Sequence, residues 1–194
     1  MNLKLFKKLV GLPLAQNLYE WKKFLKFCES YLKKHKIKNP IVVELGTWRN
    51  GQKPFYEQLL GARHIGVDSS KRSKADILGF THDQKTLEAL KAKLRGKPID
   101  ILFIDASHWY RDVKKDFEIY SPLCTGIIAF HDINHGRYRK KRANWEVWKF
   151  WDELKADPSM GDYSFSSIER ATGIGVMVKN EEICSLHSGF WEGG

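Results

Sequence analysis

Short β-branched apolar runs alternate along this chain with stripes of helical period, a pattern that predicts strands and helices in turn around a parallel sheet. Ile41–Val43 is the first run and ends on Glu44, and a second, Ile65–Val67, ends on Asp68. Ala75–Gly79 reads as a third strand, Ile99–Ile104 as a fourth that delivers Asp105, and Gly126–Phe130 as a fifth that delivers His131 and Asp132. Between them, Gln16–Lys36 places Leu18, Trp21, Leu25, Cys28 and Leu32 at steps of three and four, the stripe of an amphipathic helix. Further helices are expected from Pro54 to Gly61, after Asp83 as N-cap with Leu87, Leu90 and Leu94, and along Val113, Phe117 and Tyr120. Trp145, Val147, Trp148, Phe150, Trp151 and Leu154 mark an aromatic-rich helix, and Tyr163, Phe165 and Gly173–Val178 a closing hairpin on the sheet edge. The sum is a three-layer α/β/α Rossmann-like sandwich: a mostly parallel seven-stranded sheet with an antiparallel C-terminal hairpin.

With 194 residues, 42% of them hydrophobic, one domain is the expectation: an N-terminal basic amphipathic helical segment (1–40) leading into the body (41–194). Cys28, Cys124 and Cys184 lack any metal-binding spacing and read as reduced thiols of a cytoplasmic protein. Lys4, Lys7 and Lys8 interrupt the apolar residues of Met1–Leu14, so neither a signal peptide nor a transmembrane segment is expected.

The net charge of +10 is unevenly spread. Residues 1–40 hold ten lysines against Glu20 and Glu29, and Gly136–Arg142 adds Arg137, Arg139, Lys140, Lys141 and Arg142, leaving a mildly acidic body. Such patches suit RNA, an anionic ligand or an anionic surface, or are simply solvated faces. Oligomeric state leaves no trace in the sequence.

The candidate chemistry lies where strands end. Gly46 and Gly51 bracket a turn after the first strand, and Asp68 follows at the distance where an acidic residue holds ribose hydroxyls. The glycine spacing is not that of a nicotinamide site. Trp48 and Trp109 fall in crevice turns where a ring can stack on adenine or on an acceptor, whereas the stripe Trp145–Trp151 reads as core.

Three stretches carry a resemblance: E-L-G-T-W-R-N-G-Q (Glu44–Gln52), I-D-A-S-H-W-Y-R-D-V-K-K-D-F-E-I-Y-S-P-L (Ile104–Leu123) and T-G-I-I-A-F-H-D (Thr125–Asp132). Together they resemble class I S-adenosylmethionine-dependent methyltransferases, in the family 24 branch that includes cephalosporin hydroxylase-like and sugar O-methyltransferase-like proteins. The resemblance implies S-adenosylmethionine as cofactor, with Glu44, Gly46, Thr47, Asn50 and Gly51 around its methionine part, Asp68 on the ribose, Thr81 and His82 at the adenine, and Asp105 beside them. It also implies Mg²⁺ ligands at Asp105, His131 and Asp132. The chain departs from the family pattern at Asn50, Gln52, Ala106 and Ser107, and His131 stands where relatives often have a carboxylate, although Mg²⁺ prefers oxygen ligands.

Methyl transfer to a hydroxyl needs alignment and removal of a proton. A cation held by Asp105 and Asp132 would acidify the acceptor, or His108 would take the proton as general base, since an imidazole titrates near neutrality. The alternatives are that Asp105 caps the next helix, that His108 is structural and that His131 packs in the wall. The expected function is O-methylation of a small hydroxylated acceptor, with His108 and Asp105 catalytic. An RNA-directed methyltransferase and a non-catalytic binding module are the other readings.

Overall fold

The computed structural model describes residues 1–138 and 144–180. Arg139–Arg142 of the basic run and Cys184 lie outside the described residues. Seven strands form one sheet: β1 (Ile41–Leu45), β2 (Arg63–Asp68), β3 (Ile77–Leu78), β4 (Ile99–Ile104), β5 (Cys124–His131), β6 (Tyr163–Ile168) and β7 (Ile174–Lys179), in the order β3-β2-β1-β4-β5-β7-β6. β1 to β5 pair parallel, and β7 pairs antiparallel with both β5 and β6. The closing hairpin thus extends the sheet edge at β5, and its second strand, β7, is the one that pairs with β5.

Successive strand residues point to opposite faces, so both faces of a continuous apolar run need a cover. On one face Val43, Leu45, Leu102, Ile104 and Phe130 pack against α4 (Gln84–Leu94), α5 (Tyr110–Tyr120) and α6 (Val147–Ala156). On the other Val42, Ile101, Phe103 and Ala129 pack against α1 (Leu3–Leu9), α2 (Leu18–Lys34) and α3 (Lys53–Leu60). Trp21 alone makes edge-on contacts with Phe55, Tyr56 and Phe103, locking α2 and α3 onto the sheet.

Several elements differ from the sequence expectation in ways that place the site. Asn17 caps α2, its side chain accepting from the amides of Tyr19 and Glu20, so Gln16 stays outside the helix. Phe24 joins the buried stripe and Leu18 is 43% exposed, since helical side chains lean towards the N-terminus and Leu18 overhangs the end. The third strand is only two residues long, because the side chain of Asp76 turns to accept from the Gly66 amide at 2.9 Å. α6 begins at Val147, so Trp145 lies before the helix. No helix among the described residues is long and apolar enough to cross a membrane.

Candidate active site

The parallel strands β1, β2, β4 and β5 deliver their carboxyl ends to one edge of the sheet, where two adjoining cavities of about 420 and 570 Å³ open. Gly46, Asp68, Ala106, His108 and Trp145 line both, so they form the wall between two lobes of one cleft. Phe80, Thr81, His82, Ser107 and Trp109 are among the other residues of the first lobe, and Ala15, Trp48, Asp105, His131, Asp132, His135 and Thr172 complete the second. Trp48 and Trp109, each half exposed, thus present a ring to different lobes.

The turn after β1 is built from close approaches. Gly46 has φ +83°, and a Cβ there would lie 2.2 Å from the Asp105 carbonyl oxygen. Any side chain would therefore push β1 and β4 apart at the cleft floor. One oxygen of Asp68 accepts from the amides of Thr47 and Trp48, both at 2.9 Å, and the other accepts from the Ser70 amide at 2.7 Å. Asp68 is thereby the anchor of the turn as well as a residue of the first lobe, with a lone pair to spare for a ligand hydroxyl.

Not every residue expected at the cofactor lines the cleft. Glu44 is fully buried behind it, bonded to His64 Nε2 at 2.8 Å beneath the Tyr56 ring, and burial raises its carboxyl above the ordinary value. It shares the sheet face with Val42, so the pleat turns it under α3. Thr47 is also buried. Asn50, in the left-handed region at φ 57°, donates to the Lys74 carbonyl at 2.9 Å. Gly51 is needed for another reason: a Cβ there would meet the Pro13 carbonyl oxygen at 1.9 Å, so the N-terminal segment passes directly over it. Thr81 and His82 do line the first lobe, while His82 Nε2 also lies 3.1 Å from buried Asp116. Burial pushes the Asp116 carboxyl up to about 6.

In the second lobe Asp105, His131 and Asp132 converge, with one ligand-type atom from each lying within 4.8 Å of the others. His131 Nδ1 is 3.2 Å from Asp105 Oδ1 and 3.2 Å from Asp132 Oδ2. Two more imidazoles close on Asp132: His108 Nε2 at 2.9 Å from Oδ2 and His135 Nδ1 at 2.7 Å from Oδ1. Burial opposes charge on Asp132, but the three rings outweigh it and hold the carboxyl far below its usual range. Asp132 also sits at φ 64°, an uncommon conformation for a non-glycine residue that is retained where the surroundings enforce it.

Asp105 does not cap the next helix, whose N-cap is Trp109. Instead Asp105 Oδ2 accepts from Gln16 Nε2 at 2.8 Å. No pattern in the sequence points to Gln16, His135 or Thr172 at this place, because each arrives from a loop without periodicity. Trp145, expected in the core, stacks on His108 with ring centroids 3.6 Å apart. Of the basic patches, Arg137 pairs with Asp152 and lies over the Trp148 ring, so its charge is already partnered.

The cluster fits a divalent cation. Asp132 Oδ1 and His131 Nδ1 are buried without a well-directed hydrogen bond, and buried polar atoms of that kind call for a partner. Two carboxylates and one imidazole nitrogen are a donor set that divalent metals accept.

Residues 43–133, just under half of the chain, match a family described as a methyltransferase domain. An uncharacterized protein of Sinorhizobium fredii is 26% identical over 102 residues, which is 52% of this chain and only 10% of that protein. The MycE methyltransferase from the mycinamycin biosynthetic pathway, in complex with Mg, SAH and mycinamycin VI, is 14% identical with a TM-score of 0.60, over 85% of this chain and 54% of that one. The O-methyltransferase from Bacillus cereus in complex with SAH is 13% identical with a TM-score of 0.60, over 91% of each chain.

Proposed function

We propose that the chain transfers a methyl group from S-adenosylmethionine to a hydroxyl oxygen of a small acceptor, a reading supported by the match of residues 43–133 to a methyltransferase domain and by a fold like that of an O-methyltransferase. The observation that carries this reading is the shared wall: His108 lines both lobes and stands between a nucleoside-sized cavity and the carboxylate and imidazole cluster.

The first lobe takes the donor, with Asp68 receiving ribose hydroxyls and Thr81, His82 and Trp109 around the adenine. The second takes the acceptor. Asp105, His131 and Asp132 would hold a cation, whose positive charge would lower the pKa of an acceptor hydroxyl. With an imidazole among the ligands, Mn²⁺ suits this set better than Mg²⁺. In neutral His108 the Nε2 hydrogen goes to Asp132, which leaves the Nδ1 lone pair to take the acceptor proton. Trp145 fixes the plane of that ring.

Arg137 of the basic run pairs with Asp152, and a cleft of two small lobes favours a small acceptor over RNA. The thiols of Cys28 and Cys124, both unpaired, support a reducing compartment such as the cytoplasm. Calorimetry with S-adenosylhomocysteine, followed by methyl-transfer assays on phenolic and sugar hydroxyls, tests the proposal. Binding in the micromolar range or tighter and transfer to oxygen are expected, and absence of any binding would overturn it.

A further inference from the structure

Glu20, on the first turn of α2, has no exposed surface and makes no direct ion pair among the described residues. Its carboxylate instead gathers the loop ahead of β7. Oε1 accepts from the amides of Arg170 at 2.8 Å, Ala171 at 2.6 Å and Gly173 at 3.1 Å, and Oε2 accepts from Thr172, from the amide at 3.3 Å and the hydroxyl at 2.7 Å. Burial works against the charge, but these donors prevail and hold the carboxyl below its ordinary value.

The Thr172 hydroxyl has a second neighbour, His131 Nε2 at 3.1 Å. A hydroxyl owns one hydrogen, and an ionised carboxylate can only accept. The hydrogen of Thr172 therefore belongs to Glu20, and its oxygen must accept from His131. That requires a hydrogen on Nε2, which leaves Nδ1 as the nitrogen that faces Asp105 and Asp132.

We propose that Glu20 is a positioning residue for the cation site, acting through the Thr172 hydroxyl to keep the His131 hydrogen on Nε2 and Nδ1 open to a cation. The inference rests on the cation-assisted reading above and extends it to the N-terminal helix. Residues 1–40 then belong to the site as well as to the packing, since Gln16 from the same segment holds Asp105. Partners that fix the tautomer and orientation of a ligating histidine are worth roughly 10- to 100-fold in metal affinity.

The test compares the wild-type chain with Thr172→Val, Thr172→Ser and Glu20→Gln. Mn²⁺ affinity is read by electron paramagnetic resonance of the free ion, and the His131 Nε2–H signal is read in protein labelled with ¹⁵N-histidine, assigned by its loss in His131→Asn. Thr172→Val leaves the backbone donors to Glu20 in place, so it isolates the relay from the fold. It is expected to weaken Mn²⁺ binding by about tenfold or more and to expose the Nε2 hydrogen to rapid exchange, with Thr172→Ser restoring both. Glu20→Gln presents an amide donor to Thr172, which reverses the hydroxyl so that it no longer accepts from Nε2, and Mn²⁺ binding is expected to weaken as in Thr172→Val. Unchanged Mn²⁺ affinity and an unchanged Nε2–H signal in folded Thr172→Val would overturn the proposal. Should the wild type bind no Mn²⁺, the cation reading fails, and the Nε2–H signal alone decides the relay: protected in wild type and lost in Thr172→Val supports it, absent in wild type overturns it.

Discussion

Trp145 lies flat against His108, the ring centroids 3.6 Å apart and the planes inclined by 22°. On its other side the imidazole is held by Asp132 at 2.9 Å, and its own carbonyl accepts from the Glu146 amide. The ring is thus clamped in plane and in rotation, which is what a base needs if its lone pair is to meet a hydroxyl that is itself held in place.

His108→Ala should lower turnover by about 10²-fold or more, the usual contribution of general-base transfer, with a smaller change in S-adenosylhomocysteine affinity. Trp145→Phe should retain most of the activity and Trp145→Ala should not. Steady-state rates beside calorimetry separate the two effects. Equal losses of rate and donor affinity for His108→Ala would mean that the ring only shapes the wall.

Asp68→Ala is expected to weaken S-adenosylhomocysteine binding and also to loosen the turn after β1, since the Asp68 carboxylate holds the amides of Thr47, Trp48 and Ser70. Leaving those donors unpaired costs about 1–3 kcal/mol. Asp68→Asn keeps one acceptor oxygen and should recover part of the stability. Thermal melts of the three proteins without ligand give the turn contribution, and titrations give the rest; an Asp68→Ala protein as stable as wild type would confine Asp68 to the ligand.

The strands were legible because a buried parallel strand is a run of β-branched residues, and Asp68, Asp105, His131 and Asp132 were legible because they are the first polar residues after such runs. Glu44 misled for the same reason. A strand end offers two directions one residue apart, and the pleat sends Glu44 inward onto His64 while Asp105 opens into the cleft. Gln16, Glu20 and Thr172 could not be read at all, since what they touch lies from 41 to 153 positions away in sequence. Trp145 was hidden by its own pattern: it continues the apolar spacing of α6, but the helix begins two residues later, at Val147. The place of β7 between β5 and β6 was equally hidden, because a hairpin sequence does not say which of its strands meets the sheet.

Burial opposes protonation of His131, but the carboxylates of Asp105 and Asp132 outweigh it and hold the ring up to about 10. A folded-state value above the ordinary histidine value of about 6.5 adds stability at lower pH that is lost as pH rises towards 10. The cation-free protein should therefore melt at progressively lower temperature from about pH 7 to pH 10. His131→Asn should lose that slope. Since a proton and a cation compete for Nδ1, Mn²⁺ affinity should climb over the same window. Parallel melting curves for wild type and His131→Asn would show that Nδ1 is not where the proton sits.

Gly51 distinguishes the turn expected from the sequence from the turn observed. If it served the cofactor, a methyl group there would act on donor binding. In the structure the position is crossed by the N-terminal segment, and a Cβ would stand 1.9 Å from the Pro13 carbonyl oxygen. Gly51→Ala must displace Pro13, and with it Ala15 at the second lobe and Gln16 on Asp105. The expected loss of stability is about 1–3 kcal/mol, as for other overpacked sites, accompanied by weaker Mn²⁺ binding and nearly unchanged S-adenosylhomocysteine affinity. Gln16→Ala should reproduce the loss of Mn²⁺ affinity with less loss of stability, because it removes the hydrogen bond to Asp105 without moving the backbone. A Gly51→Ala protein that loses donor affinity and keeps Mn²⁺ affinity would return Gly51 to the cofactor loop and detach the N-terminal segment from the site.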